Sequence, residues 1–356
     1  MNDGNSHPGQ RSASQSLAFI AFIGSLLYTL LSLFSYSFTG GSLPFFFRIP
    51  RMSPVFADLR QLTHSSGCDA SFADLVVNAA NCDPWRRPFN YTFPSLEVFR
   101  ALDIGASNTE LLGALIGIFG LATALLFIFT LVKGRTSKLL LSAAFMLSFP
   151  FQLAVERGNH DLLVFGMCLY IPLSLFISSP KSLTCANVVI SSCLSFSATA
   201  FKVFPALGLA PWSIGIVAKA LNRKARLTGI ALLFCSCLGI FIQLDSLTQI
   251  IANTPKPDGG ASFGLFASYQ SKLGGTIGFA LTALKLAIAG ITIRVMLMTR
   301  FNSLFWTDGS EFVPEASRQA AILFALMTLL IWIASTSWDY RLVISIGIVP
   351  YFQNIS

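Results

Sequence analysis

The stretch LAFIAFIGSLLYTLLSLFSYSF, Leu17 to Phe38, contains no charged residue. At about 1.5 Å rise per residue, a helix of that length covers a hydrocarbon layer of about 30 Å. It is longer than the apolar core of a signal peptide and has no small-residue cleavage site behind it, so it reads as a retained span. The polar residues before it, 1–16, read as a disordered cytoplasmic tail.

Runs of the same kind recur almost to the end of the chain. Hydrophobic residues make up 54% of the 356 positions and charged ones only 11%, with a mean hydropathy of +0.67. A soluble domain carries about a quarter charged residues. Lipid offers no partner to an open sheet edge, so the spans are expected to be helices. The pattern predicts an all-α polytopic membrane protein of about ten spans: 17–38, 111–132, 139–155, 162–178, 185–202, 206–218, 228–245, 275–298, 319–337 and 342–352. Residues 17–356 then form one multi-span domain with two large outer loops, 39–110 and 246–274.

The net charge of +8 reads as a topology signal rather than a footprint for nucleic acid. With the N-terminus in the cytoplasm, the cytoplasmic tail and connections hold twelve basic residues and the short outer loops with their flanks hold five. Basic residues are retained on the cytoplasmic side, so this orientation is preferred. The first outer loop carries two proline-started helical pieces, near Pro54–Leu62 and Pro94–Leu102. Phe93, Leu96, Val98 and Phe99 predict that the second piece lies on the membrane surface. Cys68 and Cys82 share this loop and are able to pair in an oxidising space. The second loop is rich in Gly, Pro and Ser and reads as a flap.

Four polar groups border apolar spans, and the assigned topology puts all four on the outer side: Asp58, the segment Glu156-Arg-Gly-Asn-His-Asp161, Lys202, and Trp338-Asp-Tyr-Arg341. Each has a plainer reading. Asp58 alone is more often a solvated side chain. Gly158 and Asn159 suit a hairpin in which one turns the chain and the other caps the next helix. Lys202 is equally a snorkelling lysine, and Trp338 with Tyr340 fits an aromatic belt. Ionisable groups are costly near a bilayer, so their convergence on one side favours function. A carboxylate supplies a general base, and Arg157, His160, Lys202 and Arg341 supply charge for an anionic group such as a phosphate. There is no Walker loop, zinc motif, nucleophile elbow or DxD-like pair in the first outer loop, and no cofactor or metal is expected.

The order of these residues resembles a bacterial family. It comprises an early Asp58, the segment Asn90-Tyr91-x-x-Pro94, Arg157-Gly158-Asn159, Lys202-x-x-Pro205, and the late Asp339-Tyr340. This is similar to the polyprenol-phosphate-sugar-dependent membrane glycosyltransferases that include the phosphatidylinositol-mannoside mannosyltransferases. The likeness runs from about Asp58 to Tyr351. It implies a GT-C fold in a bacterial plasma membrane, with the active site on the periplasmic face under the first loop. It also implies a polyprenyl-phosphate sugar donor, a lipid or glycan acceptor, and Asp58 as general base. Asn90, Tyr91, Arg157, Asn159, His160, Lys202, Tyr340 and Arg341 would line the substrate site.

Two departures stand out. The family commonly has Tyr-Pro-Pro where this chain has Tyr91-Thr-Phe-Pro94, and such enzymes continue with further hydrophobic sequence where this chain stops soon after Tyr351. A shortened or inactive copy is therefore a competing expectation. A lipid or solute transporter is another, with Glu156, Asp161 and Lys285 lining a pathway.

Overall fold

A computed structural model describes residues 8–38, 55–78, 82–176, 184–219, 223–253, 262–263, 315–334, 337–338 and 348. Helices α1 (Pro8–Phe38), α2 (Ala57–Ser66), α3 (Phe72–Asn78), α4 (Phe93–Ala101) and α5 (Thr109–Leu131) come first. Then follow α6 (Arg135–Leu147), α7 (Phe149–Arg157), α8 (Asp161–Phe176), α9 (Cys185–Phe201), α10 (Phe204–Lys219), α11 (Arg223–Phe241), α12 (Leu244–Asn253) and α13 (Glu315–Ala334). The described residues are helical apart from loops, turns and one antiparallel pair of two-residue strands, β1 (Ser262–Phe263) and β2 (Ser337–Trp338).

Among the described residues three helical stretches are long and apolar enough to cross a membrane: Ser14–Tyr36, Ala106–Leu131 and Arg223–Phe241. A fourth arises if α6 and α7, bent by 50° at their junction, form one broken span. The bend has a local cause. Ser148 caps α7 by accepting a hydrogen bond from the Phe151 N–H (3.4 Å), and Pro150 in the first turn has no N–H to continue the α6 ladder. Helices α8, α9 and α10 are apolar but only 16, 17 and 16 residues long. Among the described residues the expected number of about ten spans is thus not reached by length and composition; the 275–298 run, and all of the 342–352 run but Ile348, lie outside them. Leu17, Ile20, Leu31 and Phe34 on α1, Leu111 and Leu115 on α5, and Phe234 and Phe241 on α11 all face outward. An apolar exterior of this kind is consistent with an integral membrane protein.

At the centre is α8, which packs against α5, α9 and α13. Its sequence is apolar on every side, as a helix surrounded by others requires. Behind it α9 and α11 are joined by a polar contact, Ser195 Oγ to Ser236 Oγ at 2.7 Å, the kind of side-chain bridge that helices in lipid use to associate.

Several expectations need correction. The N-terminal tail is helical from Pro8, where a proline at the first helical position is well tolerated. The two expected first-loop helices are present, at Ala57–Ser66 and Phe93–Ala101, and a third that was not expected, Phe72–Asn78, lies between them. In α4 the apolar residues divide: Leu96 and Phe99 are buried, while Phe93 and Val98 stay exposed. Half of that face therefore belongs to the protein core and not to a membrane surface. The second loop begins as helix α12, which packs on α3 and ties the two large loops together.

The loop is docked on the bundle through Phe56. Its side chain is completely buried, edge-on to Tyr36 of α1 with ring centroids 6.1 Å apart. A Cβ placed at Gly113 of α5 would fall 2.7 Å from the Phe56 ring, so the ring occupies the space that the glycine leaves. Replacing Phe56 with Ala empties this socket. Such a change costs about 3–5 kcal/mol in a packed core, and the expected outcome is a clear fall in the melting temperature of the detergent-solubilised protein.

Candidate functional site

The hairpin between α7 and α8 behaves as its residue types demand. Gly158 takes the left-handed conformation (φ 59°) that closes α7, and its N–H returns to Val155 O at 3.0 Å. Asn159 Oδ1 then accepts the Asp161 N–H at 2.8 Å and caps α8. That contact fixes the amide orientation, because Oδ1 is engaged with a donor and Nδ2 must point the other way. Nδ2 donates to Asp58 Oδ2 at 2.8 Å. One asparagine thus starts the central helix and holds the loop carboxylate.

Asp58 arrives from the opposite direction. Phe56, at the start of α2, also has a positive φ of 59°, a strain of about 1–3 kcal/mol for a residue with a side chain. Its N–H is bonded to Glu156 O at 3.0 Å, and a Cβ at Gly158 lies only 2.9 Å from Phe56 Cβ. The two left-handed residues nest together and deliver Asp58 onto Asn159. Asp58 then sits in the first turn of α2, where the helix dipole favours a carboxylate. Its side chain keeps 14% exposure.

A third element completes the cluster. Residues 82–92 cross over the start of α2. Asp83 accepts the backbone N–H groups of Trp85 (3.0 Å) and Arg87 (2.9 Å), which shapes the turn. Its carboxylate also takes Arg87 Nε at 3.1 Å and an η nitrogen at 2.9 Å, a forked pair. The same guanidinium donates to Ala57 O at 2.7 Å and lies 3.6 Å from Asp58 Oδ1. Burial alone would lower the Arg87 pKa. The hydrogen bond and charge of Asp83, with the charge of Asp58, outweigh it and hold the group above its ordinary value. Trp85 lies 4.7 Å from the guanidinium carbon. The strap is closed at its start by a Cys68–Cys82 disulfide.

Further along, Tyr91 donates to Asp58 O at 2.9 Å. Its ring lies 4.6 Å from that of His160 and 4.4 Å from Lys202 Nζ. Thr92 and Ser95 donate to the last carbonyls of α9, Thr92 to Ala200 O at 2.7 Å and Ser95 to Phe201 O at 3.1 Å. These carbonyls have no partner within their own helix, so the strap is anchored beside Lys202.

The structure therefore unites Asp58, Tyr91, Asn159, His160 and Lys202, with Glu156 and Arg157 on the adjoining hairpin. The basic residues do not stand as open cations. Lys202 Nζ is 3.2 Å from Asp161 Oδ1, with side chains only 12% and 1% exposed, so it does not snorkel. Arg157 Nε is 3.3 Å from Glu156 Oε2. His160 is buried between Tyr91 and Phe201. Asn90 is half-buried next to Tyr91 and makes no hydrogen bond among the described residues. Tyr340 and Arg341, with Asp339, lie outside the described residues, although neighbouring Trp338 pairs in register with Ser262 of the second loop. Among the described residues no group of His, Cys, Asp and Glu side chains is arranged to hold a metal ion.

No family model matches the chain, and no curated protein or solved structure matches it.

Sequence reasoning overlooked Arg87 and Asp83. The one available signal was Asp83-Pro-Trp-Arg-Arg87, in which an Asp before a proline starts a turn and leaves a basic residue four positions on.

Two outcomes follow from this geometry. Asp161→Asn leaves a buried lysine without its carboxylate, so thermal denaturation should show a loss of about 3–5 kcal/mol, recovered largely by replacing both partners with apolar residues. Removing the disulfide by Cys68→Ser with Cys82→Ser opens a loop of separation 14. Loop entropy predicts about 3 kcal/mol of destabilisation, measurable as a lower melting temperature under non-reducing conditions.

Proposed function

We propose that this chain is a membrane glycosyltransferase that moves a sugar from a polyprenyl-phosphate donor to a lipid or glycan acceptor with inversion. The observation that carries the reading is the Asp58 carboxylate. It is partly exposed, delivered by a loop helix, and fixed by the Asn159 amide of the Arg-Gly-Asn turn and by Arg87. A general base needs a defined direction for its lone pair, and the Asn159 hydrogen bond, with the Arg87 charge 3.6 Å from the other oxygen, supplies one.

In the proposed step an acceptor hydroxyl gives its proton to Asp58 while its oxygen bonds to the anomeric carbon. The bond from that carbon to the phosphate oxygen breaks on the opposite side, and its electron pair leaves with the polyprenyl phosphate. Arg157 and Lys202, each paired with a carboxylate and partly shielded from water, are the cations assigned to the departing phosphate. Tyr91 and His160 form the aromatic wall beside them.

The reading places this cluster on the outer face of a bacterial plasma membrane, with the N-terminus in the cytoplasm and about ten spans in all. The disulfide in the first loop supports that side, because such bonds persist in oxidising compartments. Exposed Leu and Phe side chains on α1, α5 and α11 support a lipid-facing scaffold for the donor tail.

The test is transfer from polyprenyl-phosphate mannose and polyprenyl-phosphate glucose by purified protein in lipid. Asp58→Asn keeps the shape and the Asn159 contact but removes the base. Its turnover should fall about 10²- to 10⁴-fold, and wild-type turnover in that variant would remove Asp58 from the reaction.

A further inference from the structure

The most distinctive feature not absorbed by the proposed reaction is the strap from Cys82 to Tyr91. It spends a fully buried carboxylate, Asp83, and a forked guanidinium, Arg87, on one junction. A turn does not require this. Asp83 already satisfies the turn through the N–H groups of Trp85 and Arg87. The additional contacts run outward from Asp83 through Arg87 to Ala57 O at 2.7 Å and Asp58 Oδ1 at 3.6 Å. Arg87 thus hydrogen-bonds the backbone before Asp58 and forms an ion pair with the carboxylate of Asp58 itself. The oxygen it faces is the one that Asn159 does not hold, since Asn159 donates to Oδ2.

We infer that Arg87 is a positioning residue for Asp58, and that Asp83 sets Arg87 in place for that task. The inference rests on the proposed role of Asp58 as general base. The planar fork matters as much as the charge. Nε and one η nitrogen are committed to Asp83, that η nitrogen also donates to Ala57 O, and the plane so fixed leaves the other η nitrogen 3.6 Å from Asp58 Oδ1. A lysine carries the charge without that fork. Tyr91, at the far end of the strap, binds Asp58 O, so backbone and side chain of Asp58 are both held by the same ten-residue segment, 82–91. The disulfide closes the other end beside Asp83.

The test compares wild type, Asp58→Asn, Arg87→Met, Arg87→Lys, Asp83→Asn and the Asp83→Asn/Arg87→Met pair, using transfer from a polyprenyl-phosphate sugar in lipid. Arg87→Met should lower kcat about 100-fold, the scale of a displaced reacting group. KM for donor and acceptor should stay near wild type, and the disulfide should remain formed. Arg87→Lys should recover only part of the loss. The double variant should be no slower than Arg87→Met, because both residues act through one contact.

Wild-type kcat in Arg87→Met with an inactive Asp58→Asn would overturn the positioning role and leave the base assignment standing. A loss confined to KM would do the same, by making Arg87 a substrate ligand. Absence of transfer by the wild-type protein would remove the proposed function and this inference together. If Arg87→Met does not fold, as judged by melting, the comparison of Arg87→Lys with Asp83→Asn decides, with wild-type kcat in both counting against the inference.

Discussion

The arrangement depends on two left-handed backbone positions pressed against each other. Phe56 and Gly158 have φ of 59° each, and the Phe56 N–H reaches back to Glu156 O. The glycine adopts this conformation at little cost, whereas the phenylalanine does so against its intrinsic preference. What offsets that preference is burial. The Phe56 ring enters a gap left by Gly113 and meets Tyr36, so α1, α5, the α7–α8 hairpin and the first loop share one contact. Loosening it would uncouple the loop from the bundle and Asp58 from Asn159.

From that junction the site is assembled by pairing rather than by accumulation of positive charge. Four carboxylates, Asp58, Asp83, Glu156 and Asp161, meet three cations, Arg87, Arg157 and Lys202. The buried Asp161–Lys202 pair is an expensive feature, since desolvation of both ions offsets much of their attraction. Its position explains its use. Asp161 opens the central helix α8, and Lys202 occupies the junction of α9 and α10, so the pair joins the ends of two packed helices under the ring of Tyr91. The cluster is a structural tie, and in the proposed reaction the same residues are the chemical surface, so that Tyr91 and Asn159 would serve both.

Much of the local structure was readable from residue types. Gly158 as the turn and Asn159 as the cap needed only the conformational preferences of those residues and their hydrogen-bonding groups. The helices at 111–132, 185–202 and 228–245 followed from apolar run length and agree with α5, α9 and α11 within a few residues. Helix α3, with exposed Ala73 and Asp74 beside buried Leu75 and Val76, carried too short a pattern to separate from loop. Helix α12 was hidden by the Gly- and Pro-rich composition that follows it.

The sequence by itself determined the class of the protein: helices, an apolar exterior and a polar minority collected at span ends. These follow from composition and from periodicities within one segment. Which carboxylate meets which cation was decided only by the tertiary structure. Asp58 finds Asn159 across 101 positions, and Lys202 meets Asp161 rather than open solvent. Arg87, one of six basic residues in its loop, is singled out by Asp83 and the α2 backbone. Such choices depend on distance and direction after packing, and no property of an isolated side chain encodes either. The apolar stretch Leu17–Phe38 announced the membrane class on its own, yet the role of Tyr36 within it emerged only when the ring of Phe56 arrived from a distant turn.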